Sequence, residues 1–160
     1  MEISKKVVIA GHFGVGKTSL IKRFVHEKFS DQYLTTIGVK IDKKTVEVNS
    51  TSIHMILWDI AGEQSAFKIP KNYFMGAHGL LYVFDLSREE TYQNLSDQVF
   101  EITKDNPKIH TIVLGNKSDL VNESLIEEIR SETSLNFKIT SAMTGENVET
   151  AFKDLAENMI

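Results

Sequence analysis

Gly11-His12-Phe13-Gly14-Val15-Gly16-Lys17-Thr18 follows the spacing G-x-x-x-x-G-K-[ST]. Glycines at these positions let a backbone curl with its N–H groups turned inward, and such a concavity suits a chain of phosphates. A lysine at the end of the turn can reach the β- and γ-phosphates, and the following hydroxyl can ligate Mg²⁺. The bland reading is a glycine-rich turn. Asn116-Lys117-Ser118-Asp119 is a second candidate. A carboxylate edge-on to guanine accepts from both N1–H and the 2-amino group. Adenine offers neither, so a buried carboxylate facing it would be left unpaired at a cost. Asn116 can tie neighbouring loops together, and the Lys117 stem can lie along a base. Ser141-Ala142-Met143 can aim the amides of Ala142 and Met143 at guanine O6, or simply be a small-residue turn. Asp59 can hold a Mg²⁺-bound water or cap a helix. The Gly62 N–H can approach a γ-phosphate because no side chain intervenes. Thr36 can ligate Mg²⁺, although a loop threonine often bonds only its own backbone.

Positioning these residues takes strands that end beside them. Val7 to Ala10 is apolar and stands before the first motif, within a strand expected over residues 5–10. A helix over 18–27 follows, with Leu20, Ile21, Phe24 and Val25 on one face. Strands over 39–48 and 52–59, separated by the turn signal Asn49-Ser50-Thr51, predict an antiparallel hairpin. The apolar alternation slips phase between Ile41 and Val46, which points to a bulge or bend. Residues 61–76 are mixed, with Gly62 and Pro70 as breakers. Leu80 to Phe84 and Ile109 to Leu114 read as strands on either side of a helix burying Tyr92, Leu95, Val99 and Ile102. A helix over 124–130, a strand over 136–139 and a last helix carrying Val148, Ala151, Phe152, Leu155 and Met159 complete the chain. Strands alternating with helices predict an α/β fold: a mostly parallel sheet with helices on both faces, and the candidate residues on the rim at the strands' carboxyl ends.

The 160 residues suit one domain, 1–160. A net charge of −4 without a basic block excludes nucleic acid as an expected partner. No apolar run is long enough to span a bilayer. The chain has no cysteine, which removes disulfides, thiol catalysis and thiolate metal ligands from its chemistry. It also removes prenylation and palmitoylation of the chain as given, and Glu2 argues against myristoylation. A cytoplasmic protein with no membrane anchor in this chain, and a monomer, is the expectation.

The motifs together carry a resemblance. G-H-F-G-V-G-K-T, Y-L-T-T-I-G-V, W-D-I-A-G-E-Q, N-K-S-D and S-A-M-T-G-E-N-V stand in the order found in the Ras superfamily of small GTPases, nearest the Rab branch. The resemblance covers essentially the whole chain. It implies a P-loop NTPase fold, a small G domain with a six-stranded sheet and five helices, binding GTP and GDP with Mg²⁺. Phe13, Gly14, Val15, Gly16, Lys17, Thr18 and Ser19 are then nucleotide contacts. Phe29 packs on the guanine, a position where a lone phenylalanine would otherwise be core, and Tyr33, Thr36 and Gly62 join the nucleotide set. Asn116, Lys117, Asp119, Ser141, Ala142 and Met143 read the base. Thr18, Thr36 and Asp59 form the metal set, and Lys17, Gly62 and Glu63 the catalytic set. Ile37, Ile41, Trp58 and Tyr73 face effector proteins or, on the plainer reading, pack between hairpin and loop. An exchange factor and an activating protein are further implied partners.

Two departures from the family pattern fall on hydrolysis. The residue after Gly62, usually a glutamine that orients the attacking water, is Glu63, with Gln64 next. A carboxylate still accepts a hydrogen bond from water but brings negative charge towards the γ-phosphate. Phe13 stands where a small residue is usual, and a phenyl ring there crowds the water and any incoming arginine. Slow hydrolysis is the expectation. The alternative is a constitutively GTP-bound interaction module with negligible turnover. A small-substrate kinase on the same loop would need a lid and a second site, for which the chain leaves little room. Ile60 stands where threonine is common, and Ser65-Ala66-Phe67 where the Rab pattern reads Arg-Phe-Arg, so partner surfaces do not transfer.

Overall fold

The computed structural model describes residues 1–27, 38–60 and 68–160. Strands β1 (Glu2–Gly11), β2 (Val39–Val48), β3 (Thr51–Ile60), β4 (Gly79–Asp85), β5 (His110–Asn116) and β6 (Lys138–Ile139) form one sheet in the order β2-β3-β1-β4-β5-β6. All neighbours are parallel except β2 and β3. Helices α1 (Lys17–His26) and α4 (Val148–Asn158) cover one face; α2 (Leu95–Thr103) and α3 (Glu123–Glu132) cover the other. The chain leaves β1 for neighbours on both of its sides, β3 and β4, so the loop after β1 opens at the point where the strand order divides.

Two buried clusters hold the layers together. Val7, Ile9, Leu57, Leu81 and Val83 meet Leu20, Phe24, Phe152 and Leu155 on the α1/α4 side, where the Phe24 and Phe152 rings stack at 4.0 Å between centroids. Val8, Leu80, Tyr82 and Phe84 meet Val99, Ile102, Ile126 and Ile129 on the other. Strand residues of odd and even number thus serve opposite faces, and β4 is buried along its whole length because both faces are covered.

Two sequence expectations need correction. The β2–β3 register runs unbroken from Val39↔Ile60 to Val48↔Thr51, with no bulge. The apolar phase changes because Val39 packs into the α2/α3 cluster while Val46 and Val48 lie in the other; the strand changes the face it buries, not its pairing. Four of the five implied α-helices are present among the described residues, and the count for the whole chain lies outside them. Between Pro70 and Gly76, which has φ +73°, only the short 3₁₀ turn Lys71–Phe74 forms. The strand expected over 136–139 contracts to Lys138–Ile139.

Candidate functional site

Among the described residues, the loop 11–18, Asp59, Asn116–Asp119 and Ser141–Met143 stand on one rim, at or after the carboxyl ends of β1, β3, β5 and β6. The loop after β1 is shaped by close approach. At Gly11, paired with Val83, a Cβ would fall 2.1 Å from the Val83 carbonyl oxygen. At Gly16, with φ +102°, it would fall 2.4 Å from Asn116 Nδ2. Only glycine lets β4 and Asn116 come this near. Helix α1 then opens without a side-chain cap and without an acid in its first turn, unlike α3, where Asn122 Oδ1 accepts from the Leu125 N–H at 2.9 Å. An uncapped helix start behind a curled loop presents donors to an anion.

Lys17 is buried, and its ammonium donates to the carbonyls of Gly11 and His12, both at 3.1 Å. Burial pulls its pKa down to about 8, against the upward pull of Asp59. Asp59, 1% exposed, accepts from Thr18 Oγ1 at 2.5 Å through Oδ2. Its Oδ1 is buried with no hydrogen-bond partner. Burial raises its pKa, partly offset by the Thr18 hydrogen bond and by Lys17 and Lys40. An unsatisfied buried carboxylate oxygen beside a hydroxyl is the hard-oxygen donor set that Mg²⁺ accepts. Thr18 and Asp59 therefore fit that ion.

Asn116 stitches three loops. Its Nδ2 donates to the Val15 carbonyl at 2.9 Å, and its Oδ1 accepts from Thr140 Oγ1 at 3.1 Å and the Ala142 N–H at 3.3 Å. Of the two amides expected to face guanine O6, the Ala142 amide is thus shared with Asn116. Lys117 donates to the Gly14 carbonyl at 2.9 Å and pairs with Asp85 Oδ2 at 2.9 Å. Ser141 Oγ donates to Asp119 Oδ1 at 2.7 Å. Asp119 itself is exposed, so the penalty for a mismatched base requires the base to cover it, a correction to the buried carboxylate assumed from sequence. Phe13 and Met143 are exposed, Ser19 is half-buried, and Val15, Ser141 and Ala142 are buried.

Ile41 is 55% exposed and lies directly across from Trp58, whose half-buried ring carries the Lys6 ammonium at 3.8 Å from its centroid. Tyr73 is half-buried against the α2/α3 cluster. Phe29, Tyr33, Thr36, Ile37, Gly62, Glu63 and Gln64 lie outside the described residues.

Sequence reasoning missed Asp85, Arg88 and Arg23. Asp85 is fully buried at the end of β4, and a lone acid closing the apolar run Leu80 to Phe84 was a readable signal. Arg23 donates from Nε to the Ala142 carbonyl at 2.8 Å and from its guanidinium to the Met143 carbonyl, holding that loop from α1. Nothing in its helical pattern marked it.

The sequence model of the Ras family matches residues 6–160. This chain belongs to the Ras family. The Ras-related protein Rab-10 of Diplobatis ommata is 32% identical over 161 residues, covering 97% of this chain and 80% of that protein. This Ras-family protein is accordingly a Rab-like, GTP-binding switch GTPase, with the loop after β1 in the place where such a fold takes its ligand.

Proposed function

We propose that residues 1–160 form one G domain that binds GTP and GDP with Mg²⁺ on this rim and hydrolyses GTP slowly. The observation that carries the reading is the convergence of Lys17, Thr18 and Asp59 beside the curled loop, with Thr18 Oγ1 2.5 Å from Asp59. Thr18, Thr36 and Asp59 would hold the ion, which when bound neutralises charge on the β- and γ-phosphate oxygens. The Gly14, Val15 and Gly16 amides and the Ser19 end of the loop orient the phosphates, and Lys17 offsets their charge. Asp119 accepts from the guanine N1–H and 2-amino group. Asn116, Lys117, Ser141, Ala142 and Met143 frame the base, with Phe29 as its aromatic packing partner and Tyr33 as a further nucleotide contact.

In hydrolysis a water oxygen bonds to the γ-phosphorus as the bond to the β–γ bridging oxygen breaks. GDP departs with the electron pair, and the water proton passes to phosphate. Glu63 holds the water as an acceptor, and the Gly62 N–H supports the γ-phosphate. Glu63 repels the same phosphate, and the Phe13 ring crowds both the water and an activating protein's arginine, a contribution worth about 10³–10⁵ in rate when it fits. Single-turnover phosphate release from GTP tests this. Phe13→Gly and Glu63→Gln should each accelerate the wild-type rate. A fast wild-type rate that neither substitution alters sinks the slow-hydrolysis reading. No release from any of the three proteins favours a permanently GTP-bound module.

The same reading assigns Ile37, Ile41, Trp58 and Tyr73 to an effector-facing surface, supported by the exposed Ile41 beside Trp58. It also expects an exchange factor, an activating protein, a monomer and a cytoplasmic setting. No helix among the described residues is long and apolar enough to cross a membrane.

A further inference from the structure

Three successive carbonyls of the loop after β1 are each held by a different side chain. Arg88 Nη1 donates to Phe13 O at 3.0 Å, Lys117 Nζ to Gly14 O at 2.9 Å and Asn116 Nδ2 to Val15 O at 2.9 Å. In a trans peptide the C=O and the next N–H point opposite ways. Holding these three oxygens therefore directs the amides of Gly14, Val15 and Gly16 to the other side. Lys17, by contrast, takes the preceding carbonyls of Gly11 and His12.

Arg88 is seated by a small buried structure. Asp85, 0% exposed, pairs through Oδ2 with Lys117 at 2.9 Å and lies 3.9 Å from Arg88 Nη1. Its Oδ1 accepts from the Ser87 N–H at 2.9 Å and Ser87 Oγ at 2.6 Å. Thr91 Oγ1 accepts from the Asp85 N–H at 2.9 Å and donates to the Arg88 carbonyl at 2.7 Å, closing the turn that carries Arg88. Glu90 accepts from Arg88 Nε at 3.1 Å and fixes the plane of the guanidinium. One buried acid thus places two of the three cation or amide donors behind the loop.

We propose that Arg88, seated by Asp85, is a positioning residue of the phosphate loop, holding the Phe13 carbonyl so that the Gly14 amide faces the phosphates. This rests on the guanine-nucleotide reading above. It adds a third clamp, carried by the β4–α2 connection, to the two carried by Asn116 and Lys117. A charge-assisted hydrogen bond of this kind makes roughly a tenfold difference in ligand retention.

The test is release of methylanthraniloyl-GDP from the Mg²⁺-loaded protein, for wild type, Arg88→Met and Arg88→Lys. It is read together with thermal unfolding of the nucleotide-free proteins and backbone ¹⁵N spectra. Arg88→Met should release nucleotide roughly tenfold faster with unfolding unchanged, and Arg88→Lys should restore most of the retention. The Gly14 amide should lose its GDP-induced shift in Arg88→Met, while the Val15 and Gly16 amides keep theirs. Unchanged release and an unchanged Gly14 shift in Arg88→Met overturn the proposal. So does faster release that tracks lower unfolding temperature without rescue by lysine, the mark of a merely structural role. A wild type that binds no guanine nucleotide overturns the underlying reading, and this one with it.

Discussion

At the scale of single residues, Lys17 shows what the loop costs the protein. Its ammonium is buried, and its pKa falls from 10.5 to about 8. Below about pH 8 the side chain is charged in both folded and unfolded chains, and the burial penalty is fully present. Between there and 10.5 the unfolded chain holds a proton that the folded one has released, so stability rises with pH. Lys17→Met should therefore stabilise the nucleotide-free protein at pH 7 by about 2 kcal/mol, the burial cost less the two hydrogen bonds forfeited. The gain should shrink towards pH 10 while nucleotide binding is lost. Urea unfolding at both pH values checks it; a variant less stable than wild type at pH 7 contradicts it. Asp119 makes a separate prediction. Wild type should hold GDP more tightly than IDP, which lacks the 2-amino group, by about tenfold or more, and Asp119→Ala should narrow that ratio. Competition binding with the two diphosphates measures it.

At the scale of elements, the hairpin and α1 illustrate opposite uses of the left-handed conformation. Asn49 and Ser50 have φ +48° and +67° and connect β2 to β3 in a two-residue turn closed by Val48↔Thr51. Asparagine tolerates that conformation, whereas serine is strained in it. Ser50→Gly should stabilise the fold by about 0.5–1 kcal/mol, seen as a raised urea midpoint with an unchanged slope. Loss of stability would mean the Ser50 side chain contributes more than its backbone costs. At Gly16 the positive φ is functional in placement: it starts α1 beneath the loop and admits Asn116 at a distance no Cβ allows.

At the scale of the whole molecule, the rim is one connected structure. Asn116 reaches from β5 to the loop after β1 and to Thr140 and Ala142 beyond β6, Arg23 joins α1 to Met143, and Thr18 joins α1 to Asp59 on β3. A ligand that engages all of these should stabilise the folded chain as a unit. Saturating GDP with Mg²⁺ should raise the unfolding temperature by several degrees, since a hundredfold excess over Kd is worth about 2.7 kcal/mol. Chelating the ion should reverse part of the rise; an unfolding temperature indifferent to both additions would contradict the proposed site. Much of this rim was legible beforehand, because each motif follows an apolar strand and all parallel strands end on the same side. The elements and their alternation, the glycine loop and the place of Asp119 just after β5 were determined by local pattern: apolar period, turn residues and the fixed spacing of a few side chains. The unbroken β2–β3 register, the sharing of the Ala142 amide, the exposure of Asp119 and the buried Asp85 that seats Arg88 were decided only by tertiary structure. Those features depend on which strands become neighbours and how closely their loops approach, and residues distant in the chain settle that jointly.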